Sequence, residues 1–394
     1  MSVLLLILNP IIGLIYTIGT FSKSIVRFRA VKILVIGTAF FFLGYSIQLK
    51  NPNADLARYL SWLPNYEYSR LSDILHNFLL TKNVFVIQSL MLSFFSKFSN
   101  PNIFIGFIPF VFYTSYTYIY VSLFNGSRFS GIFSNKKVIV FYFGLAIISF
   151  GWVVTSVRNP MANALISVAL FRDLYLNKKG ILTSLFYLIA VSMHVGVMPI
   201  LACRILFGSF FSKQFYQKLV SLIFGIILII ISGTTNILSE FTNKADTYGV
   251  GSTGAGFSTY ARTSVYYVVN NTFILWLMVL SFVVLLLIKR QTKEKNYFYL
   301  FLRVLVLVAI MSYFMPTPLI DRYGMIVEIF LPMLLMEVNF SKLTQRQKLL
   351  STTVLLFSGL FGLLWQIAYL TVQIDFSQFI FRCAIGWISL FINH

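Results

Sequence analysis

The sequence predicts an all-α, polytopic integral membrane bundle of about eleven or twelve transmembrane helices. Three observations predict it. Of 394 residues, 58% are hydrophobic and only 11% charged, where a soluble domain carries about 25% charged residues. The mean hydropathy is +0.83. The apolar residues collect in long unbroken runs, not in the alternating segments of about ten residues that build a membrane barrel. The chain reads as a single transmembrane domain over 1–394, with loops near 50–82 and 239–267.

The first run, 3–20, lacks a basic start and a small-residue cleavage site, and reads as a retained span, not a signal peptide. The runs 31–49, 103–124, 138–157 and 161–176 follow. The run 181–211 is too long for one ordinary span and reads as two short helices meeting near His194. Then come 219–238, 268–288, 297–316, 319–338 and 349–370. At 1.5 Å per residue most of these can cross a core of about 30 Å. The shorter stretch 78–98 is broken by Lys82, Asn83 and Lys97 and reads as re-entrant or interfacial, as does 375–393.

The net charge is +20. No basic-aromatic nucleic-acid motif accompanies it, so the charge sets orientation and not a nucleic-acid partner. Basic clusters at 23–32, 128–137, 172–179, 213–218, 289–295 and 342–348 share one face, which the positive-inside rule makes cytoplasmic. The polar loops and most acids then lie outside, among them Asp55, Glu67, Asp73, Asp321 and Asp375. Work done there has no ATP to draw on, so a reaction would need an already activated substrate. Cys203 and Cys383 lie in apolar contexts without metal or disulfide spacing, and no zinc-type histidine spacing occurs; no metal and no cofactor are expected.

Five stretches carry candidate chemistry. In Thr155-Ser-Val-Arg-Asn-Pro-Met, Asn159 is a favoured N-cap and Pro160 suits the first helical position. Arg158 then sits beside a helix start, an arrangement suited to phosphate. The plainer reading is an arginine reaching to lipid headgroups. In Asn51-Pro-Asn-Ala-Asp-Leu-Ala-Arg-Tyr, a helix would put Asp55, Arg58 and Tyr59 on one face. Asp55 could serve as a general base and Arg58 as a phosphate contact, or the two could form a local ion pair. His194 lies deep in an apolar run, as a base or donor or as a histidine tied to a carbonyl at a helix break. In Pro316-Thr-Pro-Leu-Ile-Asp-Arg-Tyr, prolines start a helix at the outer face and bring Asp321, Arg322 and Tyr323 to its first turn. The glycine-rich segment 248–262, ending in Tyr260 and Arg262, reads as a substrate-covering loop or a plain linker. No internal repeat is visible, which weakens a transporter or flippase reading.

The order of these features resembles the EpsG-like family of bacterial polysaccharide polymerases, relatives of the Wzy-type O-antigen and capsule polymerases. The matching residues are Asp55 followed by Tyr59, Arg158 opening a helix with Ala162 and Ala164, Ala190 to His194, and Arg322-Tyr323. Asn159 and Gly196 stand where the family often has Gln and Ser. The resemblance implies a fold similar to GT-C membrane glycosyltransferases in the bacterial cytoplasmic (inner) membrane, with an extracytoplasmic active site. It implies undecaprenyl-pyrophosphate-linked glycans as substrates, with a chain-length regulator and a flippase as partners. On that reading Arg158, Arg58, Arg322 and Arg262 would hold pyrophosphate. Asp55, His194 and Asp321 are the candidate bases, and Tyr59, Tyr260 and Tyr323 would meet sugars. An O-antigen-type ligase would use the same chemistry on a different acceptor.

Overall fold

The computed structural model describes residues 1–20, 29–81, 85–123, 134–211, 265–291, 297–313 and 319–388. Among them every regular element is helical, and one isolated backbone bridge joins Leu49 to Ile374. In chain order the helices are α1 (Ser2–Leu8), α2 (Pro10–Gly19), α3 (Arg29–Tyr45), α4 (Asp55–Trp62), α5 (Leu71–Thr81), α6 (Val86–Phe95), α7 (Asn102–Ser122) and α8 (Ser134–Ile147). They continue with α9 (Phe150–Thr155), α10 (Arg158–Leu170), α11 (Ile181–Met193), α12 (Met198–Phe211), α13 (Val265–Gln291), α14 (Tyr297–Tyr313), α15 (Leu319–Glu337), α16 (Gln345–Gln373) and α17 (Phe376–Ile385). Among the described residues three helices are long and apolar enough to cross a membrane, over Asn102–Ser122, Tyr267–Gln291 and Gln345–Gln373, and shorter apolar helices accompany them. The described residues are all-α, with helices of the length and composition of a membrane protein.

The expected span at 3–20 is corrected. Asn9 is extended at φ −153° and its side chain accepts from the amides of Ile11 and Ile12, while Pro10 opens α2. The chain folds back there so sharply that a Cβ on Gly13 would meet the Leu6 Cα at 2.6 Å. With 7 and 10 residues, neither arm reaches across a core of about 30 Å. The stretch 78–98 likewise divides between two short helices, α5 and α6, of 11 and 10 residues. The expected span 219–238 and most of the loop 239–267 lie outside the described residues.

By backbone contacts the chain forms two compact units. The first comprises Met1–Glu67, Phe94–Val168 and Glu328–His394. Its centre is the α3–α7 pair, where small residues let backbones approach: a Cβ on Gly106 would meet the Phe41 carbonyl at 2.7 Å, and one on Gly44 the Ile105 carbonyl at 2.9 Å. The rings of Phe40 and Tyr113 stack across this contact, 3.5 Å between centroids. In the same unit α16, which packs on α8 and α9, begins in a capping box between Thr344 and Gln347. Further along it bridges the break between α8 and α9. There Gln366 donates to the carbonyls of Leu145 (2.9 Å) and Ala146 (2.7 Å) and accepts from the Phe150 amide (3.4 Å). Those groups are helix-end orphans that hydrocarbon would leave unsatisfied.

The second unit comprises Tyr68–Ser93 and Ala169–Val327. In it α13 packs on α14, and α14 meets a π-helical turn at Phe171–Tyr175 through the Tyr175–Phe298 ring contact. The long run 181–211 breaks where expected: α11 ends at Met193, His194 is extended (φ −154°, ψ 116°), and α12 starts at Met198.

Candidate functional site

The sequence candidates fall into two groups, one in each unit. In the first unit the group is built on α4 and the start of α10. Asp55 is the first residue of α4, and its carboxylate accepts from Arg58 Nη2 at 2.7 Å, with both side chains about half exposed (48% and 49%). An exposed i,i+3 pair of this kind contributes little stability, about 0.3–0.5 kcal/mol. Arg58 also lies over the Trp62 ring, 5.5 Å from its centroid. One residue further, Tyr59 turns inward and is completely buried. Its ring carries the guanidinium of Arg158 at 5.6 Å and meets Trp62 edge-on at 5.1 Å. Tyr59, expected at a sugar, is therefore the platform under Arg158. Burial pushes its phenol well above the usual tyrosine range, Arg158 pulls it partly back, and it stays protonated. Its hydroxyl is buried with no hydrogen-bond partner among the described residues.

The helix start at Arg158 differs from the expected cap. The helix opens at Arg158 itself, one residue before Asn159. Asn159 does not cap it; its Oδ1 accepts from Asn163 Nδ2 at 3.2 Å, one turn on. The residue before Arg158 is Val157 at φ +38°, in the left-handed region. A β-branched residue seldom enters that region, at a cost of order 1–3 kcal/mol.

One helix end steadies both halves of this group. Tyr369 of α16 hydrogen-bonds Thr155, the last residue of α9, at 2.8 Å. Four residues on, the Gln373 carbonyl accepts from the amides of Lys50 (2.9 Å) and Asn51 (3.2 Å), and its side chain accepts from the Asn51 amide group at 2.9 Å. The segment leading to Asp55 and the helix leading to Arg158 thus hang from the same turn of α16.

In the second unit, His194 is buried at the α11–α12 break. A Cβ built on Gly196 would meet His194 Nε2 at 2.6 Å and Arg322 Nη1 at 3.0 Å. The imidazole and the guanidinium therefore converge on one point, and glycine is what leaves room there. Tyr323, the next residue of α15, is buried (5% exposed). It lines an apolar cavity with Pro199, Cys203 and Val308. Tyr260 and Arg262 lie outside the described residues, as does the side chain of Asp321.

A third feature of this unit was not singled out in the sequence. Asp173, on the π-helical turn, accepts from Arg204 Nε at 2.7 Å, Arg204 Nη2 at 3.0 Å and Tyr187 Oη at 3.2 Å. The signal was present: an aspartate and an arginine, each within an apolar run, are costly unless paired. Gln366 and Tyr369 gave no such signal, because their partners are more than 200 residues away in sequence.

Among the described residues no three His, Cys, Asp or Glu side chains gather as they would around a metal ion. Comparison with known protein families, with curated proteins and with solved structures finds no match to this chain.

Proposed function

We propose that this chain is a polysaccharide polymerase: a polytopic, GT-C-like glycosyltransferase of a bacterial cytoplasmic membrane. It would join undecaprenyl-pyrophosphate-linked repeat units on the extracytoplasmic side. The observation that carries the reading is Arg158, held at a strained helix start over the buried ring of Tyr59. A guanidinium fixed over an aromatic ring at a helix start suits an anionic leaving group.

In the proposed reaction a hydroxyl of the incoming unit attacks the anomeric carbon of the growing glycan. The bond from that carbon to the pyrophosphate oxygen breaks, and undecaprenyl pyrophosphate leaves with the electron pair. The hydroxyl proton passes to a base, for which Asp55, His194 and Asp321 are the candidates. Activation comes with the substrate, so no nucleotide is required.

The test incubates purified protein with lipid-linked repeats and reads products as a ladder. Wild type is expected to give a ladder, and Arg158→Ala single repeats at unchanged protein level. Normal chain length from Arg158→Ala would overturn the assignment of Arg158.

The buried Asp173–Arg204 pair favours a second reading, a transporter of lipid-linked sugars, because paired charges within apolar helices often mark ion-coupled pathways. Counterflow of lipid-linked sugar in proteoliposomes, with no glycosidic bond formed, would support it over the polymerase.

A further inference from the structure

In the second unit α11 and α12 are the two arms of one broken hairpin, with His194 at its break. Asp173 joins the arms. Its Oδ2 accepts from Tyr187 Oη on α11 at 3.2 Å and from Arg204 Nε on α12 at 2.7 Å, and Arg204 Nη2 donates to Oδ1 at 3.0 Å. Tyr187 lies six residues before the end of α11 at Met193, and Arg204 six residues after the start of α12 at Met198. The carboxylate therefore grips both arms at the same distance from the break, about 9 Å along each helix. Its own base is fixed as well. The π-helical turn that carries Asp173 also carries Arg172, whose Nε donates to Thr183 Oγ1 of α11 at 3.2 Å, one turn before Tyr187. Thr183 in turn donates to the Lys178 carbonyl at 2.6 Å, and the Lys178 amide donates to the Arg172 carbonyl at 2.7 Å.

Stability alone does not call for charges here, because a buried ion pair replaced by apolar side chains of similar volume is often no less stable. The carboxylate supplies direction instead. Its bonds to Tyr187 and Arg204 are charge-assisted and fit one register of the two arms, whereas apolar contacts can slide. A slip of either arm by one turn, about 5.4 Å, would break them. Register matters at the apex, where a Cβ on Gly196 would meet His194 Nε2 at 2.6 Å and Arg322 Nη1 at 3.0 Å. We infer that Asp173 is a positioning residue: through Tyr187 and Arg204 it sets the register of α11 against α12, and so holds the His194 imidazole where it converges with the Arg322 guanidinium. The inference rests on the polymerase reading for what His194 does there, and adds which distant residue keeps it in place.

The test uses the full chain in detergent with isotope-labelled histidine, read by NMR. The three histidines, His76, His194 and His394, give separate imidazole signals, and His194→Gln assigns its own. A triple variant, Asp173→Leu with Tyr187→Phe and Arg204→Leu, removes every polar member of the staple together and leaves no buried partner unpaired. It is expected to unfold near the wild-type temperature, to displace the His194 signals, and to leave those of His76 and His394 in place. Its ladder formation is expected to fall about tenfold or more in kcat with KM unchanged. A folded triple variant with wild-type His194 signals would overturn the inference.

A single substitution guards against a triple variant that does not fold. Tyr187→Phe deletes one bond, on the α11 arm alone. It is expected to displace the His194 signals by a smaller amount and to lower kcat several-fold; undisplaced signals count against the staple. The two readings fail separately. Displaced His194 signals in the variants, with no ladder from the wild type, would remove the polymerase and leave the staple. Displaced His194 signals with wild-type ladders would leave the polymerase and remove Asp173 from its reaction.

Discussion

Arg322 Nη1 and His194 Nε2 both lie within 3.0 Å of the point where a Cβ on Gly196 would sit. Two cation-capable side chains from distant parts of the sequence are brought together by the absence of a third side chain. Gly196→Ala is therefore expected to push the imidazole aside, at an overpacking cost of about 1–3 kcal/mol. Product ladders should shorten while the detergent-solubilised protein remains folded. A Gly196→Ala protein with wild-type ladders would show that the convergence has no part in activity.

Tyr59 separates ring from hydroxyl. Its hydroxyl is buried without a partner, so Tyr59→Phe is expected to be neutral or to stabilise by about 1 kcal/mol. It should keep activity, because the ring under Arg158 remains. Tyr59→Ala removes the platform and opens a cavity, at about 3–5 kcal/mol. Thermal unfolding and ladder assays on the two variants check both halves, and loss of activity in Tyr59→Phe would give the hydroxyl a direct role.

The Asp173–Arg204 pair is expected to behave as a buried couple. Removing one partner, as in Asp173→Asn or Arg204→Met, should destabilise by about 3–5 kcal/mol, because the other charge is left uncompensated. The double variant Asp173→Leu with Arg204→Leu should recover much of that loss. A double variant as unstable as the sum of the singles would mean that the two charges are not coupled.

Asp375 caps α17 and gives a pH signature. The Ser377 hydroxyl and the Gln378 amide hold its carboxyl below the usual aspartate range of about 3.8, and Lys50 adds to this. A depressed folded value means that the cap stabilises α17 above the unfolded pKa and is lost as pH falls through the folded one. The Gln378 amide is expected to be protected from hydrogen exchange above the usual aspartate range and to lose that protection only as pH falls below it. Asp375→Ala should show no such change, and a pH-independent Gln378 amide in the wild type would exclude the cap as its cause.

Helical class and the break at His194 were legible because hydrocarbon imposes long apolar runs, and a histidine inside one marks a discontinuity. The fold-back at Asn9-Pro10 was equally legible, an N-cap residue before a helix-opening proline, yet the continuous hydrophobicity around it read as one span. The same dipeptide logic misplaced the cap at Asn159-Pro160, where the strained turn at Val157 starts the helix one residue early. Tertiary context decided between two identical local signals. The candidate arginines were legible one at a time, but not their supports. Tyr59 under Arg158, Gly196 between His194 and Arg322, and Gln366 across a helix break are relations between distant positions. Such relations leave no period in the sequence.

The fold-back at Asn9 has a consequence for how the chain is threaded. A stretch that enters an apolar layer and returns delivers both of its ends to one side. An epitope placed ahead of Ser2 and another inserted after Thr20 would then be accessible from the same compartment.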